Sequence, residues 1–267
     1  MFWIRFRSSC ILMAITITAV ILGGNFLFAA VLGISLIGMS ELYRIIKIEK
    51  ASIGILGYLF CVALYTLLLI KQDEYLVMLF VGYLLLLMIL YVVTFPKYKV
   101  DSVALAFFGL FYVALMLSYI YRVRMLEDGA IVVWLIFIGA WGSDTCAYLV
   151  GITMGRRRIF PELSPKKSLE GCIGGVLGAA LLGVIYASIF KDHIAGFHNP
   201  QVVFAIIGGA SSILSQIGDL AASAIKRNYN IKDYGKLLPG HGGILDRFDS
   251  IIFTAPIVFY LATILGI

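Results

Sequence analysis

The feature that most constrains this chain is a series of apolar segments, each long enough to cross a membrane. The sequence of 267 residues is 61% hydrophobic and 13% charged, whereas soluble domains average about 25% charged residues. A helix needs about 20 apolar residues to span the hydrocarbon core of a bilayer. We therefore predict an all-α, multi-pass membrane protein with nine transmembrane helices, near residues 8–23, 25–42, 53–70, 75–95, 102–121, 130–154, 169–190, 201–225 and 250–266.

The first two segments are predicted to be separate helices joined by a tight turn. Gly23, Gly24 and Asn25 interrupt the apolar run, and one helix over both segments would measure about 50 Å against a core of about 30 Å. An alternative is a cleaved signal peptide, because Arg5 and Arg7 precede the first apolar run.

The connections between the segments differ strongly in basic residues. Alternate connections, counted from the N-terminus, hold 17 of the 21 Lys and Arg residues, and the others hold 4. Merging the first two segments changes this to 15 against 6. Because basic residues favour the cytoplasmic side, the N-terminus is predicted to be cytoplasmic. No basic cluster is interleaved with aromatic residues on a polar domain, which excludes a nucleic-acid partner.

No linker or low-complexity tract divides the chain, so residues 1–267 are predicted to form a single membrane domain. Residues 1–130 are predicted to form apolar helices, and their sequence carries no recognisable motif. Residues 131–267 hold the two longest polar stretches, 156–168 and 226–250, and are predicted to carry the chemistry. Glycines spaced by four, such as Gly174 and Gly178, predict close helix packing within the chain.

Two acids lie inside apolar segments. Asp144 occurs within the sixth segment and Asp219 within the eighth. An ionisable group at membrane depth costs free energy and is usually paired, functional or both. Either acid could therefore form an ion pair with a buried Lys or Arg, or could belong to an active site.

Acidic, basic and glycine residues concentrate between Ser223 and Asp249. Asp246 and Asp249 are three residues apart and share a helix face, and grouped carboxylates suit a hard cation such as magnesium. Glycines around His241 permit a backbone that approaches phosphate closely. The basic residues there add positive charge for a phosphate ligand, namely Lys226, Arg227, Lys232 and Arg247. The plainer reading is a basic cytoplasmic loop with a glycine turn.

A second motif precedes the seventh segment, running from Ser164 through Pro165 and the paired lysines to Gly171. Lysine pairs suit phosphate, and Glu170 could reach a metal or orient a lysine. Alone the motif is weak, because basic residues at a cytoplasmic helix end are expected.

The stretch from Ser223 to Asp249 closely resembles the signature of phosphatidate cytidylyltransferases, the CDP-diacylglycerol synthases. The residues 144–148 and 164–171 resemble two upstream blocks of that family, with Ser168 standing where threonine is expected. The resemblance covers the C-terminal half of the chain.

By this resemblance, the expected reaction is CTP plus phosphatidic acid giving CDP-diacylglycerol and pyrophosphate, with magnesium required and a second cation left open. The count of basic residues puts the two longest polar stretches, and with them the active site, on the cytoplasmic face. The resemblance implies a bacterial inner-membrane enzyme and a homodimer. The expected catalytic residues are Asp246, Asp219, Lys226, Arg227 and His241, with His241 binding phosphate or shaping its loop. The expected metal ligands are Asp219 and Asp246, then Asp144 and Asp249. The expected substrate-binding residues are Ser164, Lys166, Lys167, Ser168, Glu170, Ser223, Lys232, Asp233, Gly242, Gly243 and Arg247.

Two other readings remain open. One is a related membrane enzyme that uses CTP, either a polyprenol kinase or a cytidylyltransferase for another lipid such as an ether-linked archaeal one. The other is a secondary transporter, which also has intramembrane acids near glycine breaks, but transporters often show two similar halves. Here the acids and glycine loops gather in the second half.

Overall fold

The structure is a computed structural model that describes residues 2–237, 240 and 242–266, with side chains described from residue 11 onward. Its described residues form helices and no β-strand, with one isolated antiparallel bridge between Arg158 and Ser168. The helices are α1 (Phe2–Leu22), α2 (Gly24–Ile45), α3 (Ser52–Leu69), α4 (Leu76–Val93), α5 (Val100–Arg124), α6 (Gly129–Met154), α7 (Leu169–Ile189), α8 (Pro200–Asn228) and α9 (Leu245–Leu265).

Eight of these helices, α2 to α9, are long and apolar enough to cross a membrane. The all-α, multi-pass prediction is confirmed. In α1 the fully described part is the shorter apolar stretch Ile11–Leu22, so the count of nine spans and the cytoplasmic N-terminus stay predictions. The break between α1 and α2 is confirmed, because Gly23 and Gly24 have φ angles of 62° and 49°, which residues with a side chain rarely adopt.

Both α5 and α6 contain a π-helical turn, at Leu110–Leu115 and Ile138–Gly142 respectively. Such turns add a residue to the helix and often occur at functional sites. The turn in α6 immediately precedes Ser143 and Asp144. It also brings the α6 backbone against α8, since a Cβ on Gly139 would overlap Ser211.

The chain forms two compact units. Unit 1 comprises residues 1–118 and 233–247, and unit 2 comprises residues 119–232 and 248–267. The polar segment 233–247, from the C-terminal half of the sequence, therefore belongs to the same unit as the N-terminal helices. The prediction of a single membrane domain stays a prediction.

Unit 1 is organised around buried tyrosines. The hydroxyl groups of Tyr43 and Tyr83 both donate to the carbonyl of Ala106, at 2.6 and 3.0 Å. A lipid environment offers no water to such hydroxyls, so they must find partners inside the protein. Tyr43 fits because its neighbours are small: a Cβ on Gly57 would lie 2.5 Å from the Tyr43 hydroxyl oxygen.

Unit 2 packs α7 against α6 and α8 through small residues. A Cβ on Gly174 would lie 2.5 Å from Val150 of α6, and one on Gly178 would lie 2.5 Å from Cys146. On the α8 side, a Cβ on Gly208 would lie 2.6 Å from the carbonyl oxygen of Ala179. The predicted packing role of the spaced glycines is confirmed, and it holds the polar residues of α6 and α8 close together.

Candidate functional site

A polar seam runs along α8 inside unit 2, where this helix faces α6 and α7. The hydroxyl groups of Ser143 and Ser212 form a hydrogen bond of 2.6 Å. One turn further along α8, the Gln216 side-chain nitrogen donates to the Cys172 carbonyl oxygen at 3.1 Å. These contacts satisfy buried polar groups that hydrocarbon could not solvate, and they lead along α8 to Asp219.

Asp219 and Lys167 form an ion pair at the end of this seam. The Lys167 Nζ atom lies 3.0 Å from Asp219 Oδ2 and also donates to the Gln216 carbonyl oxygen at 3.2 Å. The Lys167 side chain is 14% exposed and that of Asp219 is 39% exposed. The alternative of an ion pair with a basic residue is thus observed for Asp219, and the partner belongs to the Ser164–Gly171 motif.

Asp144 completes this cluster. Its carboxylate is close enough to be repelled by Asp219 and attracted by Lys167, and the residue is exposed rather than sealed in the core. Two carboxylates beside one ammonium group carry a net charge of −1. An open position with that charge attracts a cation, which in turn can bind phosphate.

The loop between α6 and α7 places Lys167. The beginning and the end of this loop are joined by a hydrogen bond, in which Leu169 N–H donates to the Arg157 carbonyl oxygen at 2.9 Å. Glu170 Oε2 accepts from the N–H groups of Arg156 and Arg157, at 2.9 and 3.2 Å. Ser168 Oγ accepts from Gly171 N–H at 3.2 Å, which caps the N-terminus of α7. Ser168 and Glu170 thus fold the loop, and their substrate-binding roles stay predictions.

Further basic side chains lie near the C-terminus of α8 and in the α6–α7 loop. Lys226 and Arg227 occupy the last turn of α8, where the helix dipole favours positive charge. Ser223 lies one turn after Asp219 on the same face. Arg227, Lys232 and Lys166 are exposed to solvent, while Ser164 and Lys226 are half-buried.

The segment 233–246, here called the glycine loop and described at residues 233–237, 240 and 242–246, belongs to unit 1, and Asp246 holds its two ends together. The Asp246 side chain is buried, and its Oδ2 accepts from the N–H groups of Tyr234 and Gly243, at 2.8 and 2.9 Å. Gly242 has a φ of 83°, and a Cβ there would lie 3.2 Å from Asp233. The positive φ predicted from the glycines is therefore observed.

The structure places the predicted site residues Arg247 and Asp249 in or at the start of α9. Arg247 is exposed at the start of α9. Asp249 lies in α9 within unit 2, where a Cβ on Gly218 would lie 2.9 Å from its carbonyl oxygen. His241 lies outside the described residues.

Glu41 is a functional candidate that the sequence pattern did not single out. It lies near the end of α2, is 2% exposed, and accepts from the N–H groups of Ile244 and Leu245. Glu41 lies within the predicted apolar segment 25–42, so the signal that selected Asp144 and Asp219, an acid inside an apolar segment, could have found it.

The donor chemistry fits magnesium at Asp144 and Asp219. No three of the Asp, Glu, His and Cys side chains in the described part of the chain come together as a metal-binding group. Magnesium commonly uses one or two carboxylates, with water and substrate phosphates filling its other positions. The buried hydroxyl of Ser215, one turn before Asp219, has no hydrogen-bond partner, so it could accept a water or ligand contact. The set of four carboxylates stays a prediction.

An apolar groove adjoins the cluster within unit 2. It encloses about 350 Å³ between α7, α8 and the α6–α7 loop, and its lining includes Phe160, Cys172, Gln216 and Leu220. Gln216 and Leu220 flank Asp219 in sequence. The charged cluster of Lys167, Asp219 and Asp144 therefore lies beside an apolar surface that can accept a hydrocarbon chain.

Comparison with known proteins identifies the family of this chain. The chain is 33% identical over 234 residues to the phosphatidate cytidylyltransferase of Bacillus subtilis, covering 84% of each chain. It is 31% identical to that of Synechocystis over 290 aligned positions, which cover 98% of this chain and 96% of the relative. A third relative with the same name, from Rickettsia prowazekii, is 36% identical over 194 residues, or 72% and 82% of the two chains. The sequence profile of the cytidylyltransferase family matches residues 3–265, and the chain belongs to that family.

Proposed function

We propose that this protein transfers CMP from CTP to phosphatidic acid, giving CDP-diacylglycerol and pyrophosphate in phospholipid biosynthesis. Membership of the cytidylyltransferase family and the names of its relatives support this reaction. The structural observation that carries it is the cluster of Lys167, Asp219 and Asp144 beside an apolar groove in a membrane protein. With a bound cation, such a cluster can hold a phosphate group while the groove accepts part of a lipid.

The reaction needs charge stabilisation more than proton transfer. A phosphate oxygen of phosphatidic acid attacks the α-phosphorus of CTP, a new P–O bond forms, and the bond from that phosphorus to the bridging oxygen breaks. Pyrophosphate leaves with the electron pair. The attacking phosphate monoester already carries about −1.5 to −2 charge at pH 7, so no strong general base is required. The barrier comes from bringing two anions together, which preorganised positive groups lower.

The chain's own residues supply that positive charge. Lys167 is held by Asp219 and the Gln216 carbonyl, so its ammonium group is oriented before substrate arrives. Lys226 and Arg227 add charge from the end of α8. The remaining predicted substrate-binding residues lie in the α6–α7 loop, at the end of α8 and in or beside the glycine loop, and we retain them as proposals.

The same proposal includes magnesium as the cofactor. Asp144 and Asp219 would hold it, and Asp246 and Asp249 remain further candidates. When bound, the ion supplies positive charge that offsets the negative charge of the triphosphate and of departing pyrophosphate. The excess of basic residues in alternate connections supports an active site on the cytoplasmic face of the bacterial inner membrane, where CTP is available.

Labelled CTP provides the deciding experiment. Purified protein with phosphatidic acid and magnesium should convert α-³²P CTP into a labelled lipid, whereas γ-³²P CTP should yield labelled pyrophosphate and an unlabelled lipid. A lipid labelled only from the γ position, with CDP as the second product, would instead identify a CTP-dependent kinase. Turnover of an ether-linked phosphatidate in preference to phosphatidic acid would assign the protein to another lipid, and substrate uptake without CTP turnover would indicate a transporter.

A further inference from the structure

Glu41 joins α2 to the start of α9 through backbone hydrogen bonds. Its Oε1 accepts from Ile244 N–H at 3.0 Å, and its Oε2 accepts from Leu245 N–H at 2.8 Å. The first N–H groups of a helix have no partners inside that helix, and its N-terminus favours negative charge. A carboxylate is an acceptor at both oxygens, so the buried Glu41 side chain matches the N-terminus of α9.

Two glycines of the glycine loop lie against this carboxylate. A Cβ on Gly235 would lie 2.8 Å from the Glu41 carboxyl carbon, and one on Gly243 would lie 2.5 Å from it. The two glycines also approach each other, because a Cβ on Gly235 would lie 3.1 Å from the Gly243 Cα. The loop can reach Glu41 because neither position has a side chain.

The contacts of Glu41 continue directly into those of Asp246. Glu41 binds the N–H groups of Ile244 and Leu245, while Asp246 binds that of the preceding residue, Gly243. Two acids thus fix three successive amide groups at the point where the glycine loop becomes α9. Loss of the hydrogen-bond acceptors at either position would free the same short segment.

We propose that Glu41 is a positioning residue for the glycine loop: it holds the turn at Gly243–Leu245 so that the loop and Asp246 are in place for the reaction. The effect of the glycine loop on activity rests on the proposed function. The role of Glu41 in holding the loop follows from its hydrogen bonds to Ile244 and Leu245. The proposal gives α2, a helix that appeared generic in sequence, a defined part in activity.

The proposal is tested with three single variants, and one double variant, of the full-length protein in detergent. Glu41→Gln keeps the size of the side chain but turns one acceptor into a donor that faces a backbone N–H group. Gly243→Ala pushes the loop away from the same carboxylate. Glu49→Gln is the matched control, because Glu49 is partly exposed in the turn that follows α2 and pairs with Arg44 at 2.9 Å.

Two measurements separate local bracing from a general role in folding. Tryptic cleavage after Lys236, an exposed residue of the glycine loop, should accelerate at least about tenfold in Glu41→Gln and Gly243→Ala, because the loop opens locally. Cleavage after the exposed Lys71 should not change. The kcat should fall at least about tenfold in both variants, and the double variant should be no slower than the slower single variant, because both free one segment. Glu49→Gln should match the wild type in every measurement.

Several results would overturn this role. Unchanged kcat and unchanged Lys236 cleavage in Glu41→Gln would do so, as would equal acceleration at Lys236 and Lys71, which indicates unfolding of the whole unit. If Glu41→Gln does not accumulate in membranes, Gly243→Ala decides by the same criteria. If wild-type protein makes no CDP-diacylglycerol, the proposed function fails, but the proteolysis comparison still decides whether Glu41 braces the loop.

Discussion

Replacing Asp219 by asparagine tests the centre of the proposed site. The change keeps the size of the side chain and removes one negative charge from the pair with Lys167, whose Nζ lies 3.0 Å away. An asparagine oxygen can still accept from Lys167, so the hydrogen bond can persist without the charge. The variant therefore separates electrostatics from packing.

The expected effects on stability and on rate differ greatly. Because the Asp219 side chain is 39% exposed, losing the ion pair should destabilise the fold by about 1 kcal/mol or less. Loss of a preorganised charged group at a reacting phosphate typically costs about 3–4 kcal/mol of transition-state stabilisation. That corresponds to roughly a hundredfold to a thousandfold in rate.

The assay is release of pyrophosphate by purified protein with CTP, phosphatidic acid and magnesium. Asp101→Asn is the control, since Asp101 is exposed in the first turn of α5 and its loss should leave turnover unchanged. The double variant Asp144→Asn with Asp219→Asn should be little slower than either single variant, because residues that act as a unit are not additive. Wild-type turnover by Asp219→Asn would refute the assignment, and multiplying losses in the double variant would place the two acids in separate roles.

Three further predictions address the rest of the site and the topology. Asp246→Asn should keep the glycine loop folded, with unchanged tryptic cleavage after Lys236, because one Asp246 oxygen accepts from both Tyr234 and Gly243 and an asparagine oxygen can replace it. The variant should lose about a hundredfold or more in turnover through loss of charge, and normal turnover would limit Asp246 to a structural role. Activity should vanish when divalent cations are chelated and return with magnesium, whereas full turnover in excess chelator would remove the metal from the proposal. Single cysteines in the 156–168 loop and at Lys236 should be labelled only from the cytoplasmic side, and one at Asn199 only from outside. Labelling of Lys236 and Asn199 from the same side would contradict the topology, because these positions flank α8.

The sequence by itself determined the fold class and the family. Apolar segments of bilayer length can only be helices or closed barrels, because the backbone must satisfy its own hydrogen bonds in lipid. Gly23 and Gly24 marked the break between α1 and α2, which their positive φ angles explain. The polar and glycine positions between Ser223 and Asp249 are not required by hydrophobicity, so they identified the family before any contact was known.

The tertiary structure decided which of these residues contact one another. Lys167 and Asp219 are 52 residues apart, and only the packing of α7 between α6 and α8 brings Asp144 beside both. The contacts of Glu41 with Ile244 and Leu245 span more than 200 residues, and hydrophobic patterning carries no information about such pairs. Periodicity reports which face of a helix is apolar, whereas the partner of a buried acid depends on which backbone N–H groups a distant turn presents to it. For Glu41 that turn is the start of α9.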